Sequence, residues 1–166
     1  MLSLPVYLDS HATTPADPRV VEAMLPWFSR QFGNPGSHHQ AGRKAADAVE
    51  HSRASIAALL NCSPEEILFT SGATEADNLA LKGFVAASPT SPHIISSQAE
   101  HRAILDPLKR LARSDASVTL LPVDRAARRS ADQIAEALRP DTRLVTLMLA
   151  NNEIGSLNPL AEISSL

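Results

Sequence analysis

Residues 69 to 83 read FTSGATEADNLALKG. The apolar run Ile67-Leu68-Phe69 gives way to the small polar residues Thr70-Ser71-Gly72-Ala73-Thr74, and Ala76, Leu79 and Ala80 then open a helical spacing. A strand that passes into a helix through such small residues leaves the first helical N–H groups uncovered, and those groups, with the helix dipole, suit an anion. Gly72 and Ala73 would let a phosphate approach the donors, and Thr74 would add a hydroxyl. The same residues also allow a plain cap, in which Thr74 is the N-cap and Asp77 completes a Thr-x-x-Asp box. The local pattern leaves both open.

Two other places carry polar groups of the right kind. His101 follows Glu100 just past an expected strand end, where an imidazole could stack on an aromatic ligand, shuttle a proton, or simply occupy a polar loop. Asn151, Asn152 and Glu153 follow another strand; side-chain amides suit hydrogen bonds to a ring substituent, and asparagine also favours turns for backbone reasons.

Other chemistries find little support. His38 and His39 are adjacent and have no cysteine or carboxylate at metal-ligand spacing, so no metal site is expected. The single cysteine, Cys62, rules out an internal disulfide, points to a reducing compartment, and lies at the wrong end of its strand for a nucleophile. With 15 basic and 18 acidic residues the formal charge is −3, which gives no electrostatic reason to expect nucleic acid; Arg125, Arg128 and Arg129 are read as a solvated loop. The N-terminus MLSLPVYLDS lacks a basic region and meets Pro5 early, and no span nears the ~18 apolar residues of a membrane helix. A soluble, cytoplasmic protein without membrane or nucleic-acid partners is expected.

The elements that must position these residues follow from periodicity. Residues 17–32 have helical spacing interrupted by Pro26, the loop 33–42 (GNPGSHHQAG) is rich in turn residues, and an amphipathic helix is expected from Arg43 to Leu60. Ser63-Pro64-Glu65-Glu66 combines a capping box with a proline at the first helical position. The chain then alternates: strand 67–69, helix 74–87, strand 93–97, helix 103–113, strand 117–123, helix 130–138, strand 143–149. Nearly continuous apolar strands alternating with helices imply an α/β fold with a mostly parallel, doubly covered sheet, whose ligands gather at the carboxyl ends of strands. The loops at 71–74, 100–101 and 151–153 all fall on that rim. A further helix begins at Leu160 and runs about two turns, so the four strands are expected to be part of a larger sheet.

Taken together, VYLDSHATTP (6–15), FGNPGSHHQAG (32–42), FTSGATEADNLALKG (69–83), EHRAIL (100–105) and NNEIGSLNPL (151–160) resemble, in order, the amino-terminal half of pyridoxal-phosphate-dependent cysteine desulfurases. These are fold-type I enzymes of the class V aminotransferase superfamily. The resemblance implies that Gly72, Ala73 and Thr74 hold the phosphate of pyridoxal 5'-phosphate, that His101 stacks on its ring and helps proton transfer, and that Asn152, with Asn151 beside it, lies near the ring hydroxyl. Residues 9–14 and 34–37 resemble stretches that border the substrate pocket. It also implies a three-layer fold, with residues 1–16 as an arm or small-domain segment and 17–166 as a partial large domain.

The activity so implied converts L-cysteine to L-alanine and passes sulfur to an enzyme persulfide, for iron–sulfur cluster or other sulfur assembly, in a homodimer. In that family the Schiff-base lysine, the aspartate under the ring nitrogen, the sulfur-accepting cysteine and the carboxylate-binding arginine lie further along. Lys82 stands eight residues beyond Thr74, about 12 Å along a helix axis, and Lys44 and Lys109 lie on other expected helices. The chain alone is therefore expected to bind cofactor weakly or not at all and not to turn over. Its expected partners are a carboxyl-terminal half or a full-length desulfurase. The alternatives are a non-catalytic module docking on such an enzyme, or another class V member such as a selenocysteine lyase or an aminotransferase.

Overall fold

The computed structural model describes residues 5–166, which divide between Phe69 and Thr70 into two compact units. In the first, α1 (Pro18–Met24) starts at Asp17, whose side chain accepts the Arg19 backbone N–H at 2.8 Å, with Pro18 in the first turn. A 3-10 turn over Leu25–Phe28 follows, so Pro26 tightens the chain instead of starting a new helix. Helix α2 (Gln40–Leu60) begins three residues before the expected Arg43 because His39 serves as its N-cap, its Nδ1 accepting the Gly42 N–H at 3.2 Å. Gly42 is required there: a Cβ would lie 2.1 Å from the Ser37 carbonyl oxygen.

Residues 67–69 do not form the expected strand. They run extended without ladder partners among the described residues, and the Arg53 guanidinium bonds the Ile67 carbonyl and lies 4.9 Å from the centre of the Phe69 ring. A side chain from α2 thus satisfies the backbone that a neighbouring strand would have satisfied.

The second unit holds α3 (Ala73–Ala87), β1 (His93–Ser97), α4 (Arg102–Leu111), β2 (Ser117–Leu121), α5 (Ala131–Ala137), β3 (Thr142–Val145) and α6 (Leu160–Ile163). The sheet has three strands, not four, in the order β2-β1-β3, and all pairs are parallel; Ile94 aligns with Val118 on one side and Leu144 on the other. Every residue of β1 is buried, as a central strand covered on both faces requires.

Alternation along β1 builds two cores. Ile94 packs with Leu81, Val85, Leu108, Leu111 and Ala116 on the side of α3 and α4, and Ile95 packs with Ile134 and Ile163 on the side of α5 and α6. The unit is therefore a three-layer α/β sandwich, as expected, with the amino ends of α3 and α4 near the rim. Both later strands end earlier than periodicity suggests, at Leu121 and Val145 rather than 123 and 149. Beyond Val145, Thr146 still donates to the Ile95 carbonyl at 2.9 Å, but the next anchor, at Met148, is a side chain.

Candidate functional site

Helix α3 starts at Gly72, which has φ 157° and ψ −179° and supplies no side-chain cap. That backbone conformation belongs almost wholly to glycine. The predicted Thr74 and Asp77 box does not form. Instead, the Glu75 carboxylate reaches back to accept the Ser71 backbone N–H at 2.7 Å and its hydroxyl at 2.5 Å. The Ser71 hydroxyl holds that carboxyl below its ordinary range. The strap closes the turn from outside and leaves Thr74 without a capping duty.

Thr74 and His101 line one cavity of about 440 Å³ together with Asn78, Lys82, Arg102 and Asp106. Thr74, Asn78 and Lys82 recur every fourth residue and so share one face of α3. Lys82 thus faces the same space as Thr74, two turns further down the helix.

His101 is the N-cap of α4, and its Nδ1 accepts the Ala103 N–H at 3.1 Å. An acceptor nitrogen carries no proton, so the neutral ring bears its proton on Nε2. Just ahead, Glu100 is buried at 8% exposure and its Oε1 accepts the Met148 backbone N–H at 2.5 Å. Burial pushes the Glu100 carboxyl up, the Met148 hydrogen bond opposes this, Asp77 on α3 adds to it, and His101 opposes it.

The two asparagines have different duties. Asn151 is buried; its Nδ2 donates to the Ala99 carbonyl at 3.4 Å, while its Oδ1 accepts the N–H groups of Glu153 and Ile154 at 2.9 and 3.1 Å. Asn152 is exposed and its amide donates to the Glu153 carboxylate at 3.2 Å, outside the residues that line the Thr74 and His101 cavity. The structure therefore brings Thr74 and His101 to one cavity and ties the loop that carries Asn152 to the loop that carries His101.

Spacing put Glu100 on the rim without a role and gave no sign of Asn158. Asn158 donates to the Met148 carbonyl at 2.9 Å and accepts the Arg129 N–H at 2.8 Å, so side chains hold both ends of the Met148 residue. Arg129, read from sequence as part of a solvated loop, is in fact 3% exposed. Residues 9–14 and 34–37 belong to the first unit, where Asn34 Oδ1 accepts the Gly36 N–H at 3.0 Å. Among the described residues no cluster of three metal-ligating side chains occurs, and no helix is long and apolar enough to cross a membrane.

The donor set fits pyridoxal phosphate on its own terms. A 15-residue helix presents an N-terminus without a side-chain cap, a Cβ on its N-cap glycine would meet nothing within 4 Å, and an imidazole shares a cavity with the first-turn hydroxyl. A three-layer parallel sheet with such a corner at its rim is the architecture of the fold-type I enzymes.

Comparison with known proteins agrees. The profile described as aminotransferase class-V matches residues 6–166, and the chain belongs to that family. It is 48% identical over 166 residues to the cysteine desulfurase IscS of Anaeromyxobacter sp. (strain K), covering 98% of this chain and 41% of that protein. The putative cysteine desulfurase IscS 1 of Bacillus subtilis (strain 168) is 48% identical over 162 residues, covering 97% and 43%. Among solved structures, a NifS-like protein superposes with a TM-score of 0.90 at 36% identity over 96% of this chain and 44% of its own. SspA in complex with cysteine follows at a TM-score of 0.87 and 38% identity, covering 96% and 46%. The chain thus spans less than half the length of each of these relatives.

Proposed function

We propose that this chain forms the part of a cysteine desulfurase that holds the phosphate and one face of pyridoxal 5'-phosphate, within an enzyme that takes L-cysteine to L-alanine and transfers its sulfur for iron–sulfur cluster or other sulfur assembly. The observation that carries the reading is that Thr74, in the first turn of α3, and His101, at the N-cap of α4, line one cavity. The identity to two desulfurases and the likeness to a structure that contains cysteine support the choice of substrate.

In this reading the backbone N–H groups after Gly72 and the Thr74 hydroxyl bind the phosphate oxygens, since a helix N-terminus favours a dianion. His101 would hold the ring by stacking, with its Nε2 proton available for transfer. Asn152 would hydrogen-bond the ring hydroxyl and fix the orientation of the ring if its amide left Glu153. When bound, the cofactor supplies the electron sink for chemistry at the substrate Cα.

The chain's own Lys44, Lys82, Lys109 and Cys62 are not assigned to bond formation. Lys44 and Cys62 lie in the first unit, Lys109 in the last turn of α4, and Lys82 two turns from the phosphate end of α3. Turnover then requires a lysine and a cysteine from the remainder of a desulfurase fold, and the working assembly is a homodimer in a soluble compartment. Of the arm 1–16, residues 1–4 lie outside the described residues; 5–16 act as the arm and 17–166 as part of the large domain.

The test mixes this chain with pyridoxal 5'-phosphate and the purified carboxyl-terminal remainder of the Bacillus subtilis relative, and measures sulfide and alanine from L-cysteine. Cysteine-dependent product that falls with Thr74→Val at limiting cofactor and with His101→Ala supports the reading. Product from selenocysteine alone moves the assignment to another class V activity, and no cofactor binding under any condition rejects the phosphate site.

A further inference from the structure

Two ties join the loop of His101 to the segment that leads into Asn152. The Glu100 carboxylate accepts the Met148 N–H at 2.5 Å, and the Asn151 amide donates to the Ala99 carbonyl at 3.4 Å. They bracket the approach to each site residue: Glu100 immediately precedes His101, and Asn151 immediately precedes Asn152. Both are buried, at 8% and 5% exposure. Asn151 has no free end to offer the cavity, because its Oδ1 is taken by two backbone N–H groups of its own loop.

The choice of a carboxylate at position 100 needs a reason. A glutamine oxygen could accept the same N–H without the cost of stripping water from a charge. The site faces Asp77 on α3, which opposes a second negative charge, and His101, which favours one. The charges of helix and loop therefore act on this carboxylate in opposite directions. Its hydrogen bond is charge-assisted and short, which narrows the freedom of the peptide that leads into the His101 cap.

We propose that Glu100 and Asn151 are positioning residues that set the spacing and ring orientation of His101 relative to Asn152, and so shape the cofactor face of the site. This rests on the function proposed above only for the identity of the ligand; the geometric part stands without it. Loss of either tie frees the 98–101 loop, the bond from Ala103 N–H to His101 Nδ1 loosens, and the ring then samples both neutral tautomers.

Nitrogen NMR of the histidine rings in the 166-residue chain tests this at neutral pH. The wild type is expected to show His101 as a single tautomer, with a bare Nδ1 and a protonated Nε2. Glu100→Ala and Asn151→Ala are each expected to give a tautomer mixture, and Glu100→Gln, which keeps the acceptor, to restore the single form. Titration with pyridoxal 5'-phosphate in the presence of the carboxyl-terminal remainder of the Bacillus subtilis relative should show affinity reduced about three- to tenfold in the two alanine variants and less in Glu100→Gln. Asn151→Ala is read alone if Glu100→Ala does not fold. A single wild-type tautomer persisting in Asn151→Ala, which lies fifty residues away in sequence, overturns the proposal. Failure of the wild type to bind pyridoxal phosphate even with the carboxyl-terminal remainder of the Bacillus subtilis relative present rejects the functional reading instead, and the tautomer measurement still decides this one.

Discussion

The Thr142 hydroxyl oxygen lies 2.7 Å from His93 Nδ1 and at the same time accepts the Arg139 backbone N–H at 2.8 Å. The other ring nitrogen, His93 Nε2, lies 2.8 Å from the Thr119 hydroxyl oxygen, so both nitrogens are paired with hydroxyls. A fully buried imidazole in β1 thus joins hydroxyls from β2 and β3.

That arrangement gives the fold an acid limit. Burial lowers the His93 basicity, Arg139 lowers it further, and Asp141 partly offsets both. A base whose folded pKa lies below its unfolded value contributes stability above the ordinary histidine range, and this is lost as pH falls through the folded value. Urea midpoints measured from pH 8 down to pH 5 should therefore fall, and His93→Asn should flatten the profile while lowering it overall. An unchanged slope in that variant would show that other groups set the limit.

The two exposed glycines of the α3 region should respond in opposite directions to alanine. Gly72 has φ 157°, so Gly72→Ala strains or remodels the helix start and costs about 1–3 kcal/mol, with weaker binding of pyridoxal 5'-phosphate. Gly83 lies inside the helix, where a Cβ would meet nothing within 4 Å, so Gly83→Ala should stabilise by about 0.5–1 kcal/mol. Chemical denaturation of both variants checks the pair.

Thr74→Val should separate binding from folding. The Thr74 hydroxyl donates to no acceptor among the described residues and bears none of the cap, so the melting temperature should stay within a degree or two. Its loss should weaken cofactor affinity about tenfold, the worth of a hydrogen bond to a charged group. Fluorescence titration and a thermal scan on the same sample measure both.

Truncation in the core should be expensive. Ile94 is 0% exposed and joins Leu81, Val85 and Leu108, so Ile94→Ala should destabilise by about 2–5 kcal/mol, against a small fraction of that for Leu149→Ala at 59% exposure. Equal costs by urea denaturation would contradict the assigned core.

Local signals made the layer order and the rim legible. Alternating apolar runs located α3, α4 and α5, and the Ser130 and Gln133 box at the start of α5 forms as read. Long-range satisfaction of polar groups was not legible. Residues 67–69 have a strand's composition, but Arg53, fourteen positions earlier, bonds their backbone instead. Residues 146–149 continue an apolar run, but Met148 is held by the side chains of Glu100 and Asn158, which no periodicity encodes. The paired histidines at 38 and 39 raised a question of metal, and the answer for His39 is a helix cap. Asn151 and Asn152 look equivalent in sequence and differ in burial, because only the first turns inward to Ala99.

The neighbours Ile94 and Ile95 point into opposite cores from one strand. Neither helical layer can peel away without uncovering β1, so both should come apart in a single event. In deuterium exchange the amides of these two residues should be the last of the second unit to be replaced, at one common rate set by its global opening.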